Sequence, residues 1–266
     1  MGKMRIGLQL YTVRDELAGD FAGTLRKVAA MGYEGVEFAG YGGMAAQELK
    51  GLLDELGLEA AGSHVNIARI RHHLREEITY LQTIRAQYLV CPCLNALEFQ
   101  SEEDWRKQFA EFNEVGRICA GEGLTFCYHN HAFEFKHTVD GQQVFDALYD
   151  TVLASLLQME MDTGWVHYVG RDVAACISRY TGRLPLVHLK DYEGTDEEGK
   201  LRTTVVGQGV LPLQEILRAS REAGARWVIV EQDRCYGPSL PCAGSSLQWL
   251  LDHGSEFLEY NRIGER

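Results

Sequence analysis

Short apolar runs alternate along the chain with longer stretches whose apolar residues return every three or four positions. The short runs predict strands near 5–10 (RIGLQL), 34–38, 58–63, 87–91, 124–129 (LTFCYH), 157–161 (LQMEM), 184–189 and 226–231. The helical-period stretches predict helices near 20–31, 44–56, 71–85, 102–121, 142–153, 171–179, 212–223 and 245–259. Asp20 and Ser101 stand where N-caps belong, and Gly32, Gly57, Gly121 and Gly224 where helices end in a left-handed residue. The phrases AAMGYEGVEF, LDELGLEAAG, CAGEGLTFCY and REAGARWVIV each read helix, glycine stop, strand. That repetition describes tight turns between parallel βα units. The longest irregular piece, about 191–211, holds VVGQGV and follows the seventh strand.

Eight such units could form an open doubly wound sheet or a closed barrel. The open sheet would carry a glycine fingerprint after its first strand, where this chain has QLYTVRDEL instead. The expected fold is therefore an α/β protein of the TIM (β/α)8 barrel type, one domain over 1–266. A length of 266 residues with 45% apolar content suits that architecture.

A net charge of −12 without any Lys/Arg-rich block argues against nucleic acid as a partner. Seven scattered cysteines, several inside apolar runs, are expected to be reduced thiols. Cys91-Pro92-Cys93 has no second pair to complete a zinc site. The first residues lack a signal-peptide apolar run, and no stretch is long and apolar enough for a membrane span, so the expected location is the cytoplasm. A homo-oligomer remains possible.

Barrel chemistry gathers at the carboxyl ends of the strands, where this sequence turns polar. Gln9, Glu37, His64, the segment HNHAFEF (129–135), Asp162, His188 to Asp191 and Glu231 to Asp233 all fall there. Glu134, Asp162, His188 and Glu231 are 28, 26 and 43 positions apart, close to one βα unit each with the long loop stretching the last. Three carboxylates and an imidazole brought to one point would repel and resist desolvation unless a cation joined them. Mixed oxygen and nitrogen ligation suits Mn²⁺, Co²⁺, Zn²⁺ or Mg²⁺.

HNHAFEF, MDTGWVHYVG, RYTGRLPLVHLKDY, VVGQGV and VIVEQD together resemble the sugar phosphate isomerase/epimerase group of the xylose isomerase-like barrels. That superfamily includes ketose 3-epimerases, inosose dehydratase and the endonuclease IV type. The resemblance implies a divalent ion held by Glu134, Asp162, His188 and Glu231. Many relatives place the first ligand at the end of strand five, where this chain has His129, so Glu134 would need a loop excursion, with His131 as its substitute. The resemblance also implies substrate contacts from His64, Trp165 and Lys190, and pocket-floor roles for Gln9 and Glu37; His129 and His131, at the end of the fifth strand, are further candidates for substrate contact.

Each residue has a plainer use. His64 could cap a strand and Asp162 could be a helix N-cap. Lys190-Asp191 could be a surface ion pair, and His72-His73 a solvated helix face. All four ligand candidates would have to be accidents for the metal site to vanish. The expected activity is removal of a proton beside a sugar carbonyl, the enediolate charge being offset by the ion. Glu134 and Glu231 would be the catalytic pair of an isomerase or epimerase acting on an unphosphorylated sugar. The alternative is a lyase, dehydrating a keto-inositol or eliminating from a 3-keto-glycoside; a non-catalytic subunit ranks below both.

Overall fold

The computed structural model describes residues 2–197 and 199–260; positions 1, 198 and 261–266 of the expected 1–266 domain lie outside the described residues. Eight strands form the barrel: β1 Arg5–Gln9, β2 Gly35–Phe38, β3 Glu59–His64, β4 Tyr88–Cys91, β5 Thr125–His129, β6 Gln158–Asp162, β7 Leu186–Leu189 and β8 Trp227–Val230. They are all parallel and close as β1-β8-β7-β6-β5-β4-β3-β2. Eight helices follow them in turn: α1 Phe21–Met31, α2 Ala46–Leu56, α3 Ile67–Thr83, α4 Glu102–Gly121, α5 Val144–Thr151, α6 Val173–Arg179, α7 Leu213–Ala223 and α8 Ser239–His253. No helix among the described residues is long and apolar enough to cross a membrane.

Strand residues alternate between two destinations. One set packs under the helices in the large wall core, where Tyr128, for example, meets Phe112 of α4 at 5.4 Å between ring centroids. The other set fills the lumen with Ala61, Tyr88, Val90, Cys127, Leu186, Trp227 and Ile229. This plug closes the barrel beneath the polar strand ends. Gly35 exists for it: a Cβ there would lie 2.6 Å from the Trp227 ring and 2.9 Å from the Glu59 carbonyl oxygen.

Register then assembles the site. Gln9 pairs across strands with Glu37, His129 with Glu160, and Asp162 with His188. Inward-facing polar groups thus arrive side by side in successive layers above the plug.

Several expected boundaries shift for local reasons. Helix α3 starts at Ile67 because the Asn66 side chain accepts from Arg69 N. A short hairpin, Thr138–Val139 with Gln142–Gln143, takes the beginning of the expected 142–153 helix. Helix α8 begins at Ser239, ahead of the expected 245, because Pro241 falls in its first turn, where an absent N–H costs nothing, and it stops at His253, ahead of Gly254. Gly121 is still helical, and the left-handed residue is Gly123, with φ +77°. The expected 191–211 loop holds a hairpin, Asp191–Thr195 with Leu201–Thr204. Its base is pinned by the buried Asp191 carboxylate, which accepts from the N–H groups of Gly207 and Gly209 in VVGQGV. Lys190-Asp191 is accordingly no surface pair.

Candidate metal centre and substrate cavity

The lower polar layer is organised by Glu160, a fully buried carboxylate of β6. Its Oε2 lies 2.7 Å from His64 Nε2, 2.9 Å from His129 Nδ1 and 3.2 Å from His188 Nε2. Beside it, Glu37 Oε2 accepts from Gln9 Nε2 at 2.7 Å and meets His188 Nε2 at 2.6 Å. Glu160 is absent from the expected site residues, among which His64 stands as a substrate contact and Gln9 and Glu37 as the pocket floor. Here Gln9 and Glu37 form the floor, and His64 binds Glu160 while still lining the cavity above.

One step up, the other ring nitrogens of the same histidines face a second set of oxygens. His188 Nδ1 is 3.0 Å from Glu231 Oε2, and His129 Nε2 is 3.6 Å from Asp162 Oδ2. Lys190, fully buried, extends its Nζ to Asp162 Oδ2 at 2.7 Å, Asp233 Oδ2 at 2.8 Å and Glu231 Oε2 at 3.0 Å. Asp162 serves both readings of its type: Oδ1 caps the short helix Thr163–Tyr168 through Trp165 N, and Oδ2 is left for the site. Asn130 fixes that strand end by exchanging bonds with the Asp162 backbone.

Ligand atoms of His129, Asp162, His188 and Glu231 all lie within 4.8 Å of one another, as do those of His64, His129, Glu160 and His188. Three of the four expected ligands therefore converge, with His129 supplying the β5 member. Glu134 is elsewhere. It sits in the turn Phe133–Phe135, where Oε1 accepts from the Tyr128 hydroxyl at 2.6 Å and Oε2 from His131 N at 3.0 Å. Tyr128 faces the helices, so it draws Glu134 toward the barrel wall and away from the ligand group. His131 and Trp165 lie together above the site, ring centroids 5.6 Å apart. His131 lines the cavity in its own right and does not join either ligand set.

The charges inside this shell do not balance by themselves. Glu37, Glu160, Asp162, Glu231 and Asp233 face Lys190 and the three imidazoles. Burial alone would raise Glu160 and Glu231, but His188 and His64 around the first, and Lys190 and His188 around the second, hold both well below the usual carboxylate range. Burial prevails at Asp162 and Asp233, which rise despite Lys190. It also pushes Glu37 up to about 7, with Glu160 adding repulsion, and pulls His131 down to about 4, with Lys190 adding to the fall. Burial disfavours charge on His188 and Lys190 too, yet the carboxylates around them raise both well above their ordinary values.

Buried polar atoms without an aligned hydrogen bond cluster here as well: Glu37 Oε1, His131 Nδ1, Glu160 Oε1, Asp162 Oδ2, Trp165 Nε1, Lys190 Nζ and Asp233 Oδ2. Asp162 Oδ2, Lys190 Nζ and Asp233 Oδ2 still meet as ion pairs, but Glu37 Oε1, His131 Nδ1, Glu160 Oε1 and Trp165 Nε1 are orphans, which are rare in folded interiors and mark a place where a ligand completes the bonding. A thiolate-free set of oxygens and imidazole nitrogens fits a hard or borderline divalent ion. A doubly positive ion would also let Asp162 and its neighbours ionise together. Above the cluster opens a cavity of about 900 Å³, whose inner end is lined by His64, His129, His131, Glu231 and Asp233.

Against this geometry, a model of the xylose isomerase-like TIM barrel family matches residues 25–253. The chain belongs to the xylose isomerase-like TIM barrels. Within that family it is 24% identical to an inosose dehydratase of Geobacillus kaustophilus over 246 residues, 79% of each chain. It spans about half the length of another inosose dehydratase that it matches, 52%. Among solved structures, a sugar phosphate isomerase/epimerase of Parabacteroides distasonis superposes with a TM-score of 0.79 at 24% identity, covering 94% of this chain and 98% of that one. The IolI protein with a bound zinc atom superposes with a TM-score of 0.78 at 15% identity, over 96% and 100%. At such identities the superpositions speak to fold alone.

Proposed function

We propose that this xylose isomerase-like barrel is a divalent-metal-dependent enzyme that removes a proton from the carbon beside a sugar carbonyl. The observation that carries this reading is the convergence of His129, Asp162, His188 and Glu231 beneath an open cavity, among orphaned polar atoms. Those four residues would hold the ion, with Glu160 and Glu37 accepting from the far nitrogens of the imidazoles. A bound divalent ion supplies Lewis-acid stabilisation of the charge that develops on the substrate oxygens. Glu231 borders the cavity and is held ionised by Lys190 and His188, so it is placed to take the proton. Lys190, with its ammonium between Asp162, Glu231 and Asp233, orients those carboxylates and offers a proton to substrate oxygen. His64 and His131 border the bound sugar, and Trp165 Nε1 waits for an acceptor.

With Glu134 held by Tyr128, only one member of the expected catalytic pair faces the cavity. A single base that returns its proton to the neighbouring carbon gives aldose–ketose isomerisation. Epimerisation needs a second carrier on the opposite face, which Asp233 does not supply, because its Oδ2 and Glu231 Oε2 share the Lys190 ammonium at 2.8 and 3.0 Å. Elimination is the second reading, supported by the inosose dehydratases among the relatives. It uses the same first step, then expels a β-hydroxyl, which Lys190 could protonate. Metal analysis of the purified protein, combined with deuterium exchange from solvent into a panel of ketoses and keto-inositols, tests the proposal. Exchange with recovery of an isomer supports the first outcome, exchange with loss of water the second. Absence of exchange throughout the panel with Mn²⁺ or Co²⁺ added sinks both.

A further inference from the structure

We propose that the substrate is an uncharged sugar bearing a second hexose ring, which lies in an outer arm of the cavity over Tyr11, Tyr41 and Met44. This deepens the reading above and rests on it for the inner end of the cavity alone. At about 900 Å³ the cavity stands near the top of the range that engulfs drug-sized ligands, far more than a single hexose fills. Beyond the ligand cluster its lining comes from the loops after β1, β2, β3 and β4 and from one side of α3, through Arg69, Glu76, Glu77 and Tyr80.

That arm is built for a ring. Tyr11 is 44% exposed, with the Arg14 guanidinium 4.2 Å from its ring centroid. Tyr41 stacks on Tyr80 at 3.9 Å, and the Tyr80 hydroxyl donates to the Met44 carbonyl at 2.8 Å, so the shelf is rigid. Gly40 and Gly43 leave the arm clear, since a Cβ at either would meet no heavy atom within 4 Å. Aromatic faces beside open space receive the CH faces of sugar rings, and the carboxylates of Glu76 and Glu77 offer acceptors for hydroxyls.

Charge decides against a phosphate. Among the described residues lining the cavity the only Lys or Arg is Arg69, and it is paired with both Glu76 and Glu77. Lys190 below is shared by three carboxylates. An anionic substituent in the arm would meet the Glu76 and Glu77 carboxylates, while the Arg14 guanidinium, which stacks on Tyr11, lies outside the cavity lining.

Calorimetric titration of the Mn²⁺-loaded protein tests this with D-fructose and with glucosyl-fructoses that keep the ketone, namely turanose, maltulose and isomaltulose. Solvent-deuterium exchange is followed on the same samples. At least one disaccharide should bind about tenfold tighter than fructose. The ratio should fall towards one in Tyr11→Ala, which removes the platform, and in Gly43→Asn, which narrows the arm at a φ of +74° that asparagine tolerates. Equal or weaker disaccharide binding in the wild type, or a ratio untouched by both variants, overturns the inference. Exchange into fructose but into no disaccharide overturns it while leaving the enolisation reading intact. A tenfold binding preference without exchange in any sugar does the reverse.

Discussion

The Glu160 carboxylate meets the His129 imidazole at 2.9 Å, Oε2 to Nδ1, across the neighbouring strands β5 and β6. That bond makes Nδ1 the protonated nitrogen and turns the lone pair of Nε2 towards Asp162. Glu160 treats His188 in the same way, with Nε2 held below and Nδ1 presented to Glu231. A carboxylate behind a metal-binding histidine fixes its tautomer and raises its basicity. One glutamate here stands behind two.

Glu160→Gln should therefore weaken Mn²⁺ or Co²⁺ binding by about ten- to a hundredfold, although Glu160 is not assigned to the ligand set. Competition against a chromophoric chelator measures the affinity, and the visible spectrum of the Co²⁺ form reports the ligand geometry. An unchanged affinity with an unchanged spectrum would mean that the imidazoles hold their orientation without it. Two ions bound per wild-type chain, falling to one in the variant, would instead make Glu160 a ligand of the lower cluster.

The two glutamates expected to act as a pair should separate in exchange experiments. Glu231→Gln removes both a ligand and the base, so α-deuterium exchange should drop by at least about a thousandfold, the loss of general-base catalysis compounded by a weakened ion. Glu134→Gln keeps an oxygen for the Tyr128 hydroxyl and should stay within about tenfold of wild type. A collapse in Glu134→Gln with metal content intact would return Glu134 to the catalytic pair.

The strands were readable because a parallel barrel buries both faces of each, leaving compact apolar runs such as LTFCY and WVIV between glycine stops. Polar strand ends were readable for a related reason, since a cluster of polar residues closes those runs. Glu160 escaped because it lies inside LQMEM, where one carboxylate among apolar neighbours looks like noise. The available signal was its spacing from Asp162: two residues apart on a strand means one shared face. Asp233 lies beyond the end of β8, where no such strand spacing marks it. Glu134 went astray for a different reason. Sequence distance sets how far a loop reaches, while the side on which it returns depends on partners such as Tyr128, whose outward direction follows only from knowing that His129 points inward.

Gly35 and Trp227 give the barrel plug its own test. In Gly35→Ala the new Cβ would stand 2.6 Å from the Trp227 ring and 2.9 Å from a backbone oxygen, so the plug or the β2–β3 pairing must shift. The expected cost is about 1–3 kcal/mol in urea unfolding, the range for overpacking a filled core. Trp227→Phe in the same chain relieves the ring contact but leaves the Glu59 carbonyl contact, so the double variant should recover part of the loss. A Gly35→Ala protein as stable as wild type would show that the lumen has slack.

Glu134 also makes a prediction about acidity, because its burial pushes the carboxyl up to about 7 despite the Tyr128 hydroxyl and the backbone N–H groups that favour its charged form. A carboxyl whose folded pKa is raised binds its proton more tightly in the folded chain than in the unfolded one. Its contribution to stability is therefore complete below the ordinary value of 4.5, fades as pH climbs to about 7, and changes little beyond. Glu134→Gln has no such proton to lose. The stability of wild type relative to Glu134→Gln should accordingly decline between pH 5 and pH 8, by at most ~3 kcal/mol. Urea unfolding of both metal-free proteins at each pH measures the difference directly, and groups common to the two chains cancel in it. A difference that stays flat over this window, or grows in favour of wild type, would show that the bonds from Tyr128 and His131 keep Glu134 ionised in the fold.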